Sequence, residues 1–220
     1  MSLPAGIRVR SGPGSEAPRR CRGCVILFLL VLWPAALPAQ TGFGPQLGLY
    51  VPVRPIIDQS VPPPRGLHMA QVSAGFIGIR GATWMSRRTG VEASIAMSPS
   101  YVARTDSAGT HDHSAAVFFS DVRAVLALNR RRTFYTSAGL GLVARTGSIW
   151  DGTSGNTLPA LVLGAGSRTP IRGRMALRLE VQDYITSARF DQSQFPAVQT
   201  RIHHDLLWGV VLLIPLRGRQ

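Results

Sequence analysis

The chain contains no lysine, and all 24 of its basic residues are arginine. This absence excludes mechanisms that need an active-site lysine, including Schiff-base chemistry and the P-loop nucleotide site. Charged residues make up only 16% of the sequence and hydrophobic residues 45%, which excludes a disordered polyelectrolyte. The two cysteines, Cys21 and Cys24, both lie near the N-terminus. A disulfide-rich scaffold is therefore also excluded.

A long hydrophobic run is missing as well. The apolar stretch Cys24–Trp33 has ten residues, whereas a membrane-spanning helix needs about 20. It follows a basic leader, ends at Pro34, and precedes a small residue at Ala39. This layout predicts a secretory signal peptide over residues 1–40, with an uncleaved membrane anchor as the alternative. The remaining chain, 41–220, has 19 arginines against 10 acidic residues, a net charge of +9, and no cysteine.

Turn- and loop-forming stretches at regular intervals divide the rest of the chain into eight extended segments. Their connections alternate in length: 85–90, 130–133 and 169–173 are short, and 55–69, 105–113, 148–157 and 186–200 are long. Strands that run up and down with all long loops at one end produce this alternation, which is typical of membrane barrels. The predicted segments are 45–54, 70–84, 91–104, 114–129, 134–147, 158–168, 174–185 and 201–216.

Polarity alternates along four of these segments with the period of a β-strand. In 174–185 the apolar Leu177, Leu179 and Val181 alternate with Arg178 and Glu180. The same alternation marks 45–54, 91–104 and 134–147. One face of each strand is therefore apolar and the other is polar.

Three segments are less regular. In 114–129, Asp121 and Arg123 share a face with Phe119, so that face is mixed. In 70–84 the alternation slips within a glycine-rich stretch, which suggests a bulge. In 201–216 both faces are apolar after the start of the segment.

Three properties favour an arrangement with the apolar face outward and the polar face inward. The segments have about 11 to 16 residues, longer than ordinary strands of about 5 to 6. The polar face carries small residues such as Gly139 and Gly141, which leave room inside a narrow barrel. Aromatic residues lie near the segment ends, as in interfacial belts.

We therefore predict an all-β fold: a closed, antiparallel, up-and-down, eight-stranded transmembrane β-barrel over 41–220, with a soluble lipocalin-like barrel for a hydrophobic ligand as the alternative. The predicted lipid-facing residues are Leu140, Leu142, Leu177, Leu179 and Val181, and the predicted aromatic belts are Trp84, Tyr101, Phe134, Trp150 and Tyr184.

The segments Phe134–Leu142 and Met175–Tyr184 resemble late strands of the small eight-stranded outer-membrane β-barrels, similar to the OmpA-type transmembrane domain. This resemblance implies an integral bacterial outer-membrane protein without enzymatic activity or cofactor, with its short turns in the periplasm. It implies two partners, outer-membrane lipid and the barrel-assembly machinery during biogenesis. It also implies a packed network of inward charges, to which Arg80 and Arg145 are further candidates: Glu92, Asp121, Arg123, Arg178 and Glu180.

Two histidine clusters, His111-Asp-His113 and His203-His-Asp205, have metal-ligand residue types. They lack a third ligand at fixed spacing, so we expect solvated histidines at the rim and no bound metal. The neighbouring His113 and Ser114 are the only pair that fits a third possibility, an outer-membrane lipid hydrolase, and no partner carboxylate can be assigned to them.

Two further motifs are discounted. Gly139–Ala144 matches a dinucleotide-binding pattern, but strand and loop follow it where a helix is required. The arginine groups at 87–88 and 130–132 lie in tight turns of an exported protein, so they favour anionic lipid headgroups or periplasmic polymers over nucleic acid. The expected role is structural, adhesive or loop-binding, with the partner of the long loops unidentified.

Overall fold

A computed structural model of the protein describes residues 40–58, 68–106, 109–150, 156–171, 175–188 and 201–216. The predicted signal peptide, apart from Gln40, lies outside these residues. Within them the chain is almost entirely extended, with one short 3-10 turn at Ser148–Trp150. None of the helical structure in this part of the chain is long and apolar enough to cross a membrane. The strands are β1 (Gln40–Pro52), β2 (Ile57–Asp58), β3 (His68–Gln71), β4 (Ala74–Trp84), β5 (Thr89–Asp106), β6 (Gly109–Ala127), β7 (Phe134–Thr146), β8 (Thr157–Pro170), β9 (Ala176–Ala188) and β10 (Arg201–Pro215).

Eight of these strands, β1 and β4–β10, match the eight predicted segments. The irregular segment 70–84 is divided between β3 and β4, and the break falls at Val72 and Ser73, where the alternation slips. Val72 still donates its backbone N–H to the carbonyl of Tyr101 on β5, at 3.0 Å. The predicted irregularity is therefore an interruption between two strands that both pair with β5.

The prediction of a long loop at 105–113 is wrong. β5 and β6 continue to pair up to Asp106 opposite Gly109, so they form a long hairpin with only two residues at its tip. The polar residues of this stretch indicate a loop, yet the threonines 105 and 110 face each other, with 3.0 Å between their Oγ1 atoms. β3 pairs with the same part of β5, and β2 pairs with β3.

The eight long strands form a continuous ring of antiparallel pairs in the order β1-β4-β5-β6-β7-β8-β9-β10, with β10 paired back to β1. The paired residues can be followed around the ring, starting from Pro52 on β1 and passing through each neighbouring strand in turn. The path comes back to β1 at Gly42, ten residues before Pro52. Such a stagger requires strands that are tilted, in barrels typically by about 35–45°.

Burial alternates along the strands of the ring and defines two faces. Polar and charged side chains are buried inside, as at Arg80, Ser94 and Gln182, while large aliphatic side chains are exposed outside. Small residues inside make room for large ones: a Cβ on Gly166 would lie 2.3 Å from the hydroxyl oxygen of Tyr135. The polarity of the ring is therefore opposite to that of a protein with an apolar core.

The interior also contains apolar side chains. Phe119 packs against Tyr50 and Tyr184, with ring centroids 5.3 and 5.0 Å apart. This explains the mixed face of segment 114–129, because Phe119, Asp121 and Arg123 all point into the ring. Near the short turns, the apolar inner face of β10 packs Val211 and Leu213 against Ala82.

Candidate functional site: the buried charge network

Among the described residues, eight charged side chains are buried inside the ring, four arginines and four carboxylates, none more than 7% exposed. They come from six different strands, so the ring must close around them before they can meet. The four arginines and four carboxylates of this network balance each other in formal charge. The network consists of Arg80, Glu92, Asp121, Arg123, Arg145, Arg178, Glu180 and Asp205.

Glu180 is the most connected member of the network. Its carboxylate accepts hydrogen bonds from the guanidinium of Arg80, from the amide of Gln182 and from the hydroxyl of Tyr135, the last at 2.9 Å. Arg80 also donates to the amide oxygen of Gln46 at 2.8 Å. A buried carboxylate keeps its charge without a large desolvation penalty only when it is paired and hydrogen-bonded in this way.

Arg178 links this centre to β5. Its Nη1 forms an ion pair with Glu92, and its Nε donates to the Tyr135 hydroxyl at 3.0 Å. The guanidinium also lies over the Tyr135 ring, 4.0 Å from the centroid. Arg178 and Tyr135 therefore hold each other in place by both a hydrogen bond and a cation–π contact.

Asp121 and Arg123 form the third part of the network. Nε of Arg123 donates to Oδ1 of Asp121 at 2.7 Å, and Nη2 of Arg123 lies 3.7 Å from Oε2 of Glu92. The hydroxyls of Ser94 and Tyr184 donate to the other oxygen of Asp121. These contacts connect the charge network to the aromatic cluster of Phe119, Tyr50 and Tyr184.

A fourth ion pair lies on the opposite side of this aromatic cluster, nearer the long loops. Nη2 of Arg145 donates to Oδ2 of Asp205 at 2.5 Å, and the hydroxyl of Tyr50 donates to Oδ1 at 2.7 Å. Asp205 thus has a partner on each of its two oxygens. Together the ion pairs and the aromatic cluster fill the ring with side chains, so this site supports packing better than conduction.

The structure brings together all five residues predicted for the inward charges: Glu92, Asp121, Arg123, Arg178 and Glu180 are buried and mutually connected. Arg80 and Arg145, the two further candidates, are members as well. Sequence reasoning missed Asp205 and the tyrosines 50 and 135. The alternation in 45–54 and 134–147 does place both tyrosines on the polar face, so that signal was present.

The predicted lipid-facing residues all lie on the outward face of their strands. Leu140 is 73% exposed and Leu179 54%, and Leu142 is also exposed. Leu177 and Val181 are half-buried by their neighbours.

The predicted aromatic belts need correction for three of their five members. Tyr101 and Phe134 are exposed, but Trp84, Trp150 and Tyr184 are buried. Tyr184 lies on the same face of its strand as Glu180 and therefore points inward. Trp84 is buried with Val125, Ala127 and Tyr135, and Trp150, on the 3-10 turn, with Ile56, Met69, Val102 and Leu158. Position near a strand end does not decide which face an aromatic residue occupies.

The structure assembles neither a metal site nor a hydrolase site from the histidine clusters, and the expectation of solvated histidines is wrong for His203, which is buried. Among the described residues, no group of three His, Cys, Asp or Glu side chains could hold a metal ion. His113 and Ser114 are neighbours on β6, so their side chains point to opposite faces of the strand. His204 does have a carboxylate partner: its Nδ1 lies 2.8 Å from Oδ2 of Asp183, and both residues are on the outward face.

Comparison with solved structures identifies the fold class. The outer membrane protein OprG from Pseudomonas aeruginosa matches with a TM-score of 0.53 and 12% identity, over 79% of this chain and 94% of that one. The outer membrane protein AlkL in lipid bilayers matches with a TM-score of 0.49 and 11% identity, over 97% and 100% of the two chains. Ail of Yersinia pestis, in complex with the heparin analogue sucrose octasulfate, matches with a TM-score of 0.38 and 11% identity, over 80% of this chain and 97% of that one.

No family model matches the chain, and no curated protein matches its sequence. The similarity to OprG therefore shows the fold: an all-β, antiparallel, up-and-down ring of the kind found in outer-membrane β-barrel proteins.

Proposed function

We propose that this chain is an integral protein of the bacterial outer membrane, exported by a cleaved signal peptide and folded as a closed eight-stranded transmembrane barrel. One observation carries the proposal: the charges are inside the ring and the large apolar side chains are outside. The described residues include 24 large hydrophobic side chains that are exposed. Soluble monomers rarely expose contiguous apolar surface of this extent, because it would drive association.

Lipid is the solvent that suits this outer face. In hydrocarbon, every backbone polar group of a spanning segment needs an internal partner, and a closed ring of strands supplies one without leaving an edge. Strands of 11 to 19 residues also reach or exceed the roughly 9 to 11 that a tilted membrane strand needs. The lipocalin-like alternative requires an apolar cavity, whereas ion pairs and aromatic rings occupy this interior.

Within that class, we assign a non-conducting role as an anchor that displays the end with the long connections. The hairpin of β5 and β6 extends well past the residues where β4 pairs with β5, and β2 and β3 pair along it. Beneath it, Met69, Val102, Trp150 and Leu158 form a buried apolar cluster that fixes this extension to the ring. A structured extension of this kind suits adhesion or binding of a partner better than transport. The narrower likeness to OmpA-type domains stays a prediction.

The test is fractionation of a Gram-negative host that expresses the full chain. We expect the protein in the outer-membrane fraction, extracted only by detergent, with different gel mobility before and after boiling. Recovery from the periplasm without detergent would contradict the proposal and favour the soluble carrier. Reconstituted protein should show no stepwise conductance in a planar bilayer where a porin control does, and such openings would contradict the filled interior.

A further inference from the structure

Two short turns at one end of the ring are fastened to each other. They are the turn 85–88 between β4 and β5 and the turn 128–133 between β6 and β7. The side chain of Arg132 crosses from the second turn to the first, donating from Nε to the carbonyl of Arg87 and from Nη2 to that of Ser86, both at 3.0 Å. Its guanidinium lies 4.6 Å from the ring centroid of Trp84. The backbone of Arg132 is left-handed, with φ at 54°, so the turn is held in a specific shape.

Four other arginines of these turns, Arg87, Arg88, Arg130 and Arg131, are exposed, and we call them the arginine platform. The first turn is fixed locally as well: Ser86 Oγ accepts the backbone N–H groups of Arg88 and Thr89, at 3.1 and 3.0 Å.

No carboxylate neutralises the platform within the described part of the chain. Four of the acidic side chains described are buried in the charge network. The other acidic residues of the described strands lie elsewhere: Asp58 on β2, Asp106 and Asp112 on the β5–β6 hairpin, and Asp183 on β9 beside His204. Within the described residues, the platform is therefore a group of positive charges without a counter-charge.

Large apolar side chains flank the platform in the same two turns. Met85, Leu128 and Phe134 are 58%, 62% and 56% exposed. A hydrated polymer would satisfy the arginines and leave these three in water. A phospholipid suits both the arginines and the apolar side chains. Its acyl chains can lie against the apolar residues, and its phosphate can bind the guanidinium groups, which hold phosphate oxygens in a bidentate manner.

We infer that the arginine platform binds the anionic headgroups of phospholipids in the leaflet at the short-turn end of the ring. This inference rests on the proposed function, because it requires the ring to span a bilayer. It adds a particular class of lipid and a particular site.

The experiment compares the lipid selectivity of the protein purified from the outer-membrane fraction and reconstituted into phosphatidylcholine vesicles. Spin-labelled phosphatidylglycerol or phosphatidylcholine is added, and electron spin resonance measures the motionally restricted fraction of each. We expect the wild type to prefer phosphatidylglycerol several-fold at low salt, and the preference to weaken at high salt. The variant R87Q/R88Q/R130Q/R131Q should lose the preference, and R130Q/R131Q should retain part of it. The matched control R54Q/R201Q removes two exposed arginines near the long loops and should behave as wild type.

The boiled and unboiled gel bands separate the possible failures. A protein that never gives the compact unboiled band, in any lipid, would overturn both the membrane assignment and this inference. Folded wild type without lipid preference, or a folded quadruple variant that keeps it, would overturn the inference alone. Binding to isolated peptidoglycan that the quadruple variant loses, with lipid selectivity unchanged, would assign the platform to that polymer and overturn the lipid site.

Discussion

Tyr50 donates a 2.7 Å hydrogen bond to Oδ1 of Asp205 and thereby joins the first strand of the ring to the last. The second oxygen of the same carboxylate accepts from Arg145 on β7, at 2.5 Å. One side chain therefore fastens three strands at the seam where the ring closes. The backbone pairing of β1 with β10 lies beside this contact, with Pro52 opposite Asp205.

We expect Asp205→Asn to be the more damaging of two substitutions at this seam. It leaves the buried Arg145 without a counter-charge, and breaking a buried ion pair in this way costs about 3–5 kcal/mol. Tyr50→Phe removes one hydrogen bond to the buried carboxylate and should cost less, about 1.5–3 kcal/mol. The free energy of unfolding in urea, followed by tryptophan fluorescence in detergent micelles, measures both.

A double variant separates pairing from packing at the same seam. Arg145→Met with Asp205→Leu removes both charges together, and we expect it to be more stable than Asp205→Asn alone. Equal stability of the single and double variants would argue that Arg145 does not depend on Asp205.

Two glycines offer a matched test of the packed interior. A Cβ on Gly166 would lie 2.3 Å from the Tyr135 hydroxyl and 2.5 Å from the carbonyl of Leu179, whereas a Cβ on Gly81 meets nothing within 4 Å. Gly166→Ala should therefore displace Tyr135 from Glu180 and destabilise the protein by about 1–3 kcal/mol. Gly81→Ala should be nearly neutral, and a comparable loss in both variants would contradict a filled interior. The unfolding midpoint in urea is the measurement.

The outward position of Leu140 predicts the response to a charge. If lipid covers this face, Leu140→Arg should lose about 2–4 kcal/mol, because arginine is costly on the lipid face of a barrel. Thr110→Arg, on the exposed part of the β5–β6 hairpin, is the control and should have little effect. Reversible unfolding in phospholipid vesicles provides the comparison. A harmless Leu140→Arg would favour a soluble protein.

Arg132 allows a test of the fastening between the two turns. Arg132→Gly relieves the left-handed backbone and loses the side-chain contacts to Trp84, Ser86 and Arg87. We expect the contacts to outweigh the relief, giving a loss of about 1 kcal/mol in the free energy of unfolding. Hydrogen exchange of the amides in turn 85–88 should also accelerate, and unchanged exchange there would show that the turns hold their shape independently.

The faces of the strands could be predicted from the sequence because strand geometry is local. Alternation along 174–185 places Arg178 and Glu180 on one side whatever their partners are. The choice of partner could not be predicted. Arg80 pairs with Glu180 and Arg178 with Glu92 because of the register and the ten-residue stagger, and neither is encoded in one segment.

The errors have physical causes too. Position near the segment ends predicts outer belts for Trp84, Trp150 and Tyr184, but their place in the strand alternation or local packing directs each of them inward. The polar, glycine-containing composition of 105–113 predicts a loop. The tip of this hairpin, at 105 and 109–112, lies beyond the apolar cluster of Val102 and is exposed. Its strands need no apolar face there, so their composition looks like that of a loop.

The partners in the charge network are far apart along the chain: 100 residues separate Arg80 from Glu180, and 86 separate Glu92 from Arg178. On the proposed membrane assignment, a hairpin that entered the bilayer alone would leave Arg80, Glu92, Arg178 and Glu180 without these partners. Sequential insertion of hairpins would then be disfavoured. The first and last halves of the ring would have to come together at the membrane surface, or on a catalyst of insertion, before the sheet crosses as one unit.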